Sequence, residues 1–185
     1  GGVAIAAANV TVSGLSFTGF GTYLGDVSAI YLAPGATDAT ISNNIVTGAG
    51  SGRGVLNSLG ATISAAISGN HFEHLTTGAF AQGGATYTVS ANLFSNNEAG
   101  VGIDTGGQNV TGNTFTNNFE GVGLGAAGNS VTGNTFGAGH ASYVTDYTGS
   151  YDLSALMSAN SFSPAATVGT YVPSWTATAF PALVP

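Results

Sequence analysis

Residues 110–115 read Val110-Thr111-Gly112-Asn113-Thr114-Phe115, and the string returns unchanged as Val131-Thr132-Gly133-Asn134-Thr135-Phe136. Looser copies lie on either side. In each, an apolar residue and a hydroxyl residue are followed, five positions after the first, by a large apolar residue. The pairs are Val12-Ser13 with Phe17, Ile41-Ser42 with Val46, Ile67-Ser68 with Phe72, Val89-Ser90 with Phe94, and Met157-Ser158 with Phe162. Six of the seven copies place an Asn two before the large residue: Asn44, Asn70, Asn92, Asn113, Asn134 and Asn160. The first copy has Leu15 there. The mean step is about 24 residues, a solenoid period.

Inside a copy the pattern has period two. In Tyr87-Thr88-Val89-Ser90 the apolar residues share one face and the hydroxyls the other. β-Branched residues and glycines are frequent and no 3.6-residue stripe runs through the copies, so these are short strands. A third strand follows at Ala79, Val101 and Val122, each preceded by a glycine (Gly78, Gly100, Gly121). The second copy delays it to Gly54-Val55, and the first inserts a loop from Gly19 to Ser28 before Ala29-Ile30. Three strands per coil predict an all-β parallel β-helix of about seven coils over residues 1–162, with coils about 4.8 Å apart.

The string Gly-Asn-x-Phe, as Gly69-Asn70-His71-Phe72 and in the two identical copies, resembles the right-handed parallel β-helix repeat family. This is the superfold of pectate lyases, polygalacturonases and phage tailspikes, and the resemblance covers residues 9–162. It implies an Asn ladder in the bend between strands and a stack of Phe17, Phe72, Phe94, Phe115, Phe136 and Phe162 inside. The physical need is that a sharp bend leaves buried backbone groups that must be paired. Residues 163–185 lack the string, hold four of the five prolines and the single Trp175, and read as an extended tail or a cap on the last coil. Before them, Asp152 could N-cap one helical turn over Leu153-Ser154-Ala155-Leu156.

The chain is 43% hydrophobic but 5% charged, with net charge −7 and Arg53 as its sole basic residue. Nucleic-acid binding, which needs Lys and Arg to displace counterions, is excluded as a function class. No apolar run reaches the roughly 18 residues needed to span a bilayer, so membrane insertion is not expected. There is no Cys to fix a redox compartment. The chain reads as a processed protein or a piece of a longer one, from the outside or surface of a bacterial cell.

No catalytic set is expected. The resembled lyases use a Lys or Arg base with calcium held by carboxylates, and the hydrolases use Asp residues on successive coils. Here Lys is missing, Arg53 lies between Gly52 and Gly54, and Asp104-Thr105 has no carboxylate at the matching positions near Phe80-Ala81 and Leu124-Gly125. Glu98, Glu120, Asp104 and Asp146 are scattered over later loops, so no cofactor is expected and calcium between coils is a minor alternative. His71 and Glu73 flank the inward Phe72 and are the best metal candidates, although two solvated side chains are the simpler reading. Tyr143, Tyr147 and Tyr151 cluster before the last coil and could stack on a glycan.

The most regular outward feature is the hydroxyl after each core residue: Ser13, Ser42, Ser68, Ser90, Thr111, Thr132 and Ser158. It predicts a polar, uncharged contact face. The leading expectation is a non-catalytic structural or adhesive module that forms a homo-oligomer, filament or layer. A carbohydrate-binding or polysaccharide-modifying domain is the alternative, and an ice-binding solenoid is third.

Overall fold

The computed structural model describes residues 2–20 and 27–163. Within them the chain winds a parallel β-helix of three sheets with seven, six and seven strands. Each pairing between coils is parallel. The hydroxyl sheet is built from Thr11–Ser13, Ala39–Ser42, Ile63–Ser68, Ala85–Ser90, Asn109–Thr111 and Ser130–Thr132. The phenylalanine sheet runs from Ser16–Phe20 through Ile45–Gly48, His71–Glu73, Leu93–Ser95, Thr114–Thr116 and Thr135–Phe136 to Ser161–Phe162. The glycine sheet comprises Val3–Ile5, Ser28–Leu32, Arg53–Asn57, Thr77–Ala81, Ala99–Ile103, Glu120–Leu124 and Ser142–Asp146. All but the first residue of the expected tail at 163–185, and most of the first copy's long loop, lie outside the described residues.

The repeated phrase sets the register. Val12, Ile41, Ile67, Val89, Val110 and Val131 fall opposite one another in the core of the hydroxyl sheet. Phe72, Phe94, Phe115, Phe136 and Phe162 stack inside with ring centroids 4.8–5.2 Å apart and planes within 12° of parallel. Phe17 is buried too, but Val46 stands between it and Phe72 in the register, so the ring stack begins at Phe72.

The bend between these two sheets is closed by the Asn ladder. Each Oδ1 accepts from the backbone N–H and Nδ2 of the ladder Asn one coil earlier, from Asn44 through Asn160, at 2.9–3.0 Å. Nδ2 also donates to a hydroxyl-sheet carbonyl, as from Asn113 to Val89 at 2.9 Å. Leu15 supplies only its N–H, to Asn44 Oδ1 at 3.0 Å. The residue before each ladder Asn from Asn44 to Asn134 is left-handed, with φ of 65° at Gly69 and Gly112 and 66° at Gly133, while Ala159 before Asn160 closes the helix at φ −81°. That conformation costs an L-residue about 1–2 kcal/mol and glycine little, which is why Gly-Asn recurs.

Gly54, Gly78, Gly100 and Gly121 open the glycine-sheet strands for a packing reason. A Cβ on any of them would lie within 2.7 Å of a ring of the phenylalanine stack.

The last copy departs from expectation. Met157-Ser158 is not a strand; Leu153–Ser158 is an α-helix with Asp152 as N-cap, accepting from the N–H of Ser154 and Ala155 at 2.9 and 3.1 Å. The segment has no β-branched residue and buries Leu156 against the core, so the capped helix wins over a seventh strand. Ser158 therefore leaves the outward row and donates its hydroxyl to the carbonyls of Ser154 and Ala155.

Candidate functional site

The hydroxyl sheet presents the predicted row in register. Ser13, Ser42, Ser68, Ser90, Thr111 and Thr132 are consecutive cross-strand neighbours. A second outward row runs Thr11, Thr40, Ala66, Thr88, Asn109 and Ser130. Period-two alternation puts both rows outside and their apolar neighbours inside. None of the six strands carries a charged residue. Ser42 donates to Ser13 across the coils at 3.1 Å, so some of these hydroxyls satisfy one another.

The glycine sheet gathers the charges. Glu98 and Glu120 look scattered in sequence, yet the N–H of Glu120 donates to the carbonyl of Glu98 at 2.8 Å, placing them side by side in adjacent coils. With Thr76, Thr77, Ala99, Phe119 and Tyr147 they line a cleft of about 200 Å³. Tyr147 donates to Glu120 Oε1 at 2.8 Å. Burial pushes the Glu120 carboxyl above its ordinary range and the charge of Glu98 adds to this, while hydrogen bonds from Thr145 and Tyr147 work against it. Burial, then Glu120, also raises the Tyr147 hydroxyl. The expectation of scattered acids needs correcting here. Glu98 sits one residue before the strand in which Ala99 faces Glu120, so the two acids meet one position out of register.

Asp146 has a structural job. It lies opposite Leu124 and is buried at the end of its strand. Burial opposes its ionisation, but hydrogen bonds from Tyr151 N, from the hydroxyl and N–H of Thr148, and from Gly149 N hold it below the usual carboxylate range. Its carboxylate thus organises the loop that leads into the helix.

The three tyrosines do not form one platform. Tyr143 is core, at 4% exposure, and meets Phe136 and Phe162 edge-on at 5.9 and 5.1 Å. It occupies the register position filled by Gly121 one coil earlier. Tyr151 points its hydroxyl at the carbonyl of Ala126, 2.7 Å away, and accepts from Asn129 N. Tyr147 borders the cleft beside Glu98 and Glu120, and Tyr151 lines a separate groove with Asn129, Asp152 and Leu156.

His71 and Glu73 do flank Phe72 outward, with Nε2 and Oε2 3.7 Å apart. Their other partners are hydroxyls: Ser95 Oγ lies 3.0 Å from His71 Nε2, and Thr47 donates to Glu73 at 2.9 Å. Their neighbours in register are Ile45 and Leu93 for His71, and Thr47 and Ser95 for Glu73.

Two further polar ladders carry the other bends. Asn97 accepts from Leu75 N and Asn118 from Asn97 N, while Asn97 and Asn118 donate to the carbonyls of Phe72 and Phe94. The adjacent pairs Asn96-Asn97 and Asn117-Asn118 were the available signal. His140 stands where this ladder would continue. Burial lowers its pKa, and the carbonyls of Phe115 and Asn118 pull the other way. At the third bend Gln108 accepts from Tyr87 N, Asn129 from Gln108 N, and Asn57 from the Tyr87 hydroxyl inside the core.

Three parallel sheets, stacked amide ladders and an aromatic core define a parallel β-helix of the right-handed kind. The chain belongs to the NosD family: that family's model, described as periplasmic copper-binding protein (NosD), matches residues 1–160. Nothing matches among curated proteins or among solved structures. The family's periplasmic description agrees with a β-helix working on the envelope side of the cell. Among the described residues no helix is long and apolar enough to cross a membrane.

Copper favours thiolate, thioether and imidazole donors. The chain has no Cys, one Met and three His. Met157 is half-buried on the helix against the core. His140 is packed beneath aromatic rings, and the described residues contain no group of three or more His, Cys, Asp or Glu able to hold a metal ion. The residues present do not fit a resident copper.

Proposed function

We propose that the chain is a non-catalytic, envelope-side scaffold that meets another surface through its hydroxyl sheet, either a second copy of itself or an extended uncharged partner. The observation that carries this reading is the in-register row from Ser13 to Thr132 on six strands without a charge. Such a face loses little on desolvation compared with a charged one, because hydroxyls exchange water for partner hydrogen bonds at small net change. Electron microscopy and light scattering of the purified chain test it. Association into layers or filaments is expected; a monomer at high concentration that adsorbs to no uncharged surface contradicts it.

A second reading is a glycan-binding module, and it draws on the cleft beside Glu98 and Glu120. Phe119 there is 37% exposed, an aromatic face beside carboxylates and the Tyr147 hydroxyl. A glycan array with Phe119→Ala as control tests it. Binding lost in the variant supports the cleft; no binding to any glycan removes it.

A further inference from the structure

A parallel β-helix makes a multidentate site most simply by repeating a donor at one register position, since adjacent coils lie about 4.8 Å apart. The outward rows of the phenylalanine sheet show what this chain places there instead. One row reads Ser16, Ile45, His71, Leu93, Thr114, Thr135 and Ser161. The other reads Thr18, Thr47, Glu73, Ser95 and Thr116. Each row has one metal-competent donor, flanked by apolar side chains or hydroxyls.

The other donors cannot complete a set. His140 follows Phe136, three coils from His71 and so about 14 Å along the axis. Its ring lies 6.1 Å from that of Phe136 and 5.2 Å from that of Tyr143, and both of its ring nitrogens are buried, so offering one to a metal means opening the last coil. His74 sits on the turn after the strand with φ of 55°, outside the row that holds His71 and Glu73. The segments not described structurally hold no His, Met or Cys, and Asp26 is their single carboxylate.

We infer that this member of the NosD family keeps the family's coil without a resident copper, and that His71 and Glu73 give copper only an exchangeable surface contact. The inference does not depend on the hydroxyl-sheet reading. What it assigns to the chain is the architecture the family shares, separated from the metal that the family description names.

The test loads the full chain with Cu(II) alone, and separately with Cu(I) under anaerobic conditions. Each sample is desalted through a chelator, its copper is counted by mass spectrometry, and its melting is followed by circular dichroism. A ligand that binds only the folded state raises the melting midpoint, so a tight site would register in both readouts. The expected result is substoichiometric copper and an unchanged midpoint, with His71→Ala indistinguishable from the parent chain. Retention of one copper per chain with a raised midpoint overturns the inference, whether or not His71→Ala abolishes it. Leu93→His supplies a second imidazole in register beside His71 and is expected to retain copper that the parent releases. If that variant holds no more than the parent, the register argument fails and the inference with it.

Discussion

The hydroxyl sheet and the glycine sheet wrap the same core but obey different rules. On the hydroxyl sheet the outward positions repeat from coil to coil and carry no charge. On the glycine sheet the row that alternates with the core residues runs Tyr31, Leu56, Phe80, Gly102, Gly123 and Thr145, unlike side chains among which glycine alone recurs. There Arg53 lies 4.7 Å over the Phe80 ring, and Glu120 holds its carboxyl in a buried setting against its ordinary ionisation. The difference teaches that the fold requires only the inward half of each strand. Regularity on an outward face is not imposed by core packing, and the proposal that the hydroxyl sheet is a contact face rests on it.

The sharpest break between the two sheets is in their tolerance of added volume. Gly100→Ala would put a methyl 2.7 Å from both Phe115 and the Gly121 carbonyl, and overpacking of this kind costs about 1–3 kcal/mol. Ala66→Thr fills a gap in the second hydroxyl row on an exposed strand position and should fall within about 0.5 kcal/mol of the parent. Chemical denaturation of the two variants measures the contrast; equal losses would mean that the faces do not differ as described.

A pH series probes the end of the ladder. Burial holds the folded-state pKa of His140 below the ordinary imidazole value, so the unfolded chain takes the proton first. Its contribution is complete above that value and is lost as pH falls below it. Glu120 has the opposite slope, because its raised folded pKa favours the folded state at low pH and the benefit is lost as pH rises. His140→Asn offers an amide that can reach the Phe115 carbonyl as Asn118 reaches that of Phe94. The variant should lose less stability than the parent between pH 7 and pH 5, read from denaturation midpoints. Parallel curves would show that His140 is not the acid-sensitive position.

A small effect is expected at Ala91, which holds φ of 54° where Gly69, Gly112 and Gly133 stand in other coils. Ala91→Gly relieves left-handed strain of about 1–2 kcal/mol but frees the unfolded chain, leaving a net gain of about 0.5–1 kcal/mol. A lower melting midpoint would contradict the account of why Gly-Asn recurs.

The contrast between the faces also explains what was legible beforehand. Period-two alternation and the five-residue spacing, repeated over seven copies, state the inward positions and the outward hydroxyls directly, and the resemblance carried by Gly-Asn-x-Phe implied the Asn ladder. The turn capped by Asp152 was legible, but Met157-Ser158 imitated the phrase, and the extension of the helix through Ser158 with Leu156 buried is a contest between local structures that spacing does not encode. Tyr143 likewise replaces a glycine at the end of the aromatic stack, and only packing reveals it as core. The pairing of Glu98 with Glu120 depends on an offset of one residue between coils, which a comparison at equal positions misses.

The central claim is that the hydroxyl sheet is the working surface. Ser90→Lys with Thr111→Lys puts two positive charges in the middle of the row, on neighbouring coils and on half-buried outward side chains. Sedimentation velocity of the parent and the double variant, at equal concentration and with melting midpoints matched to confirm folding, gives the comparison. The account predicts a parent that associates and a folded variant that stays monomeric. A parent that associates equally with and without the two lysines would contradict it.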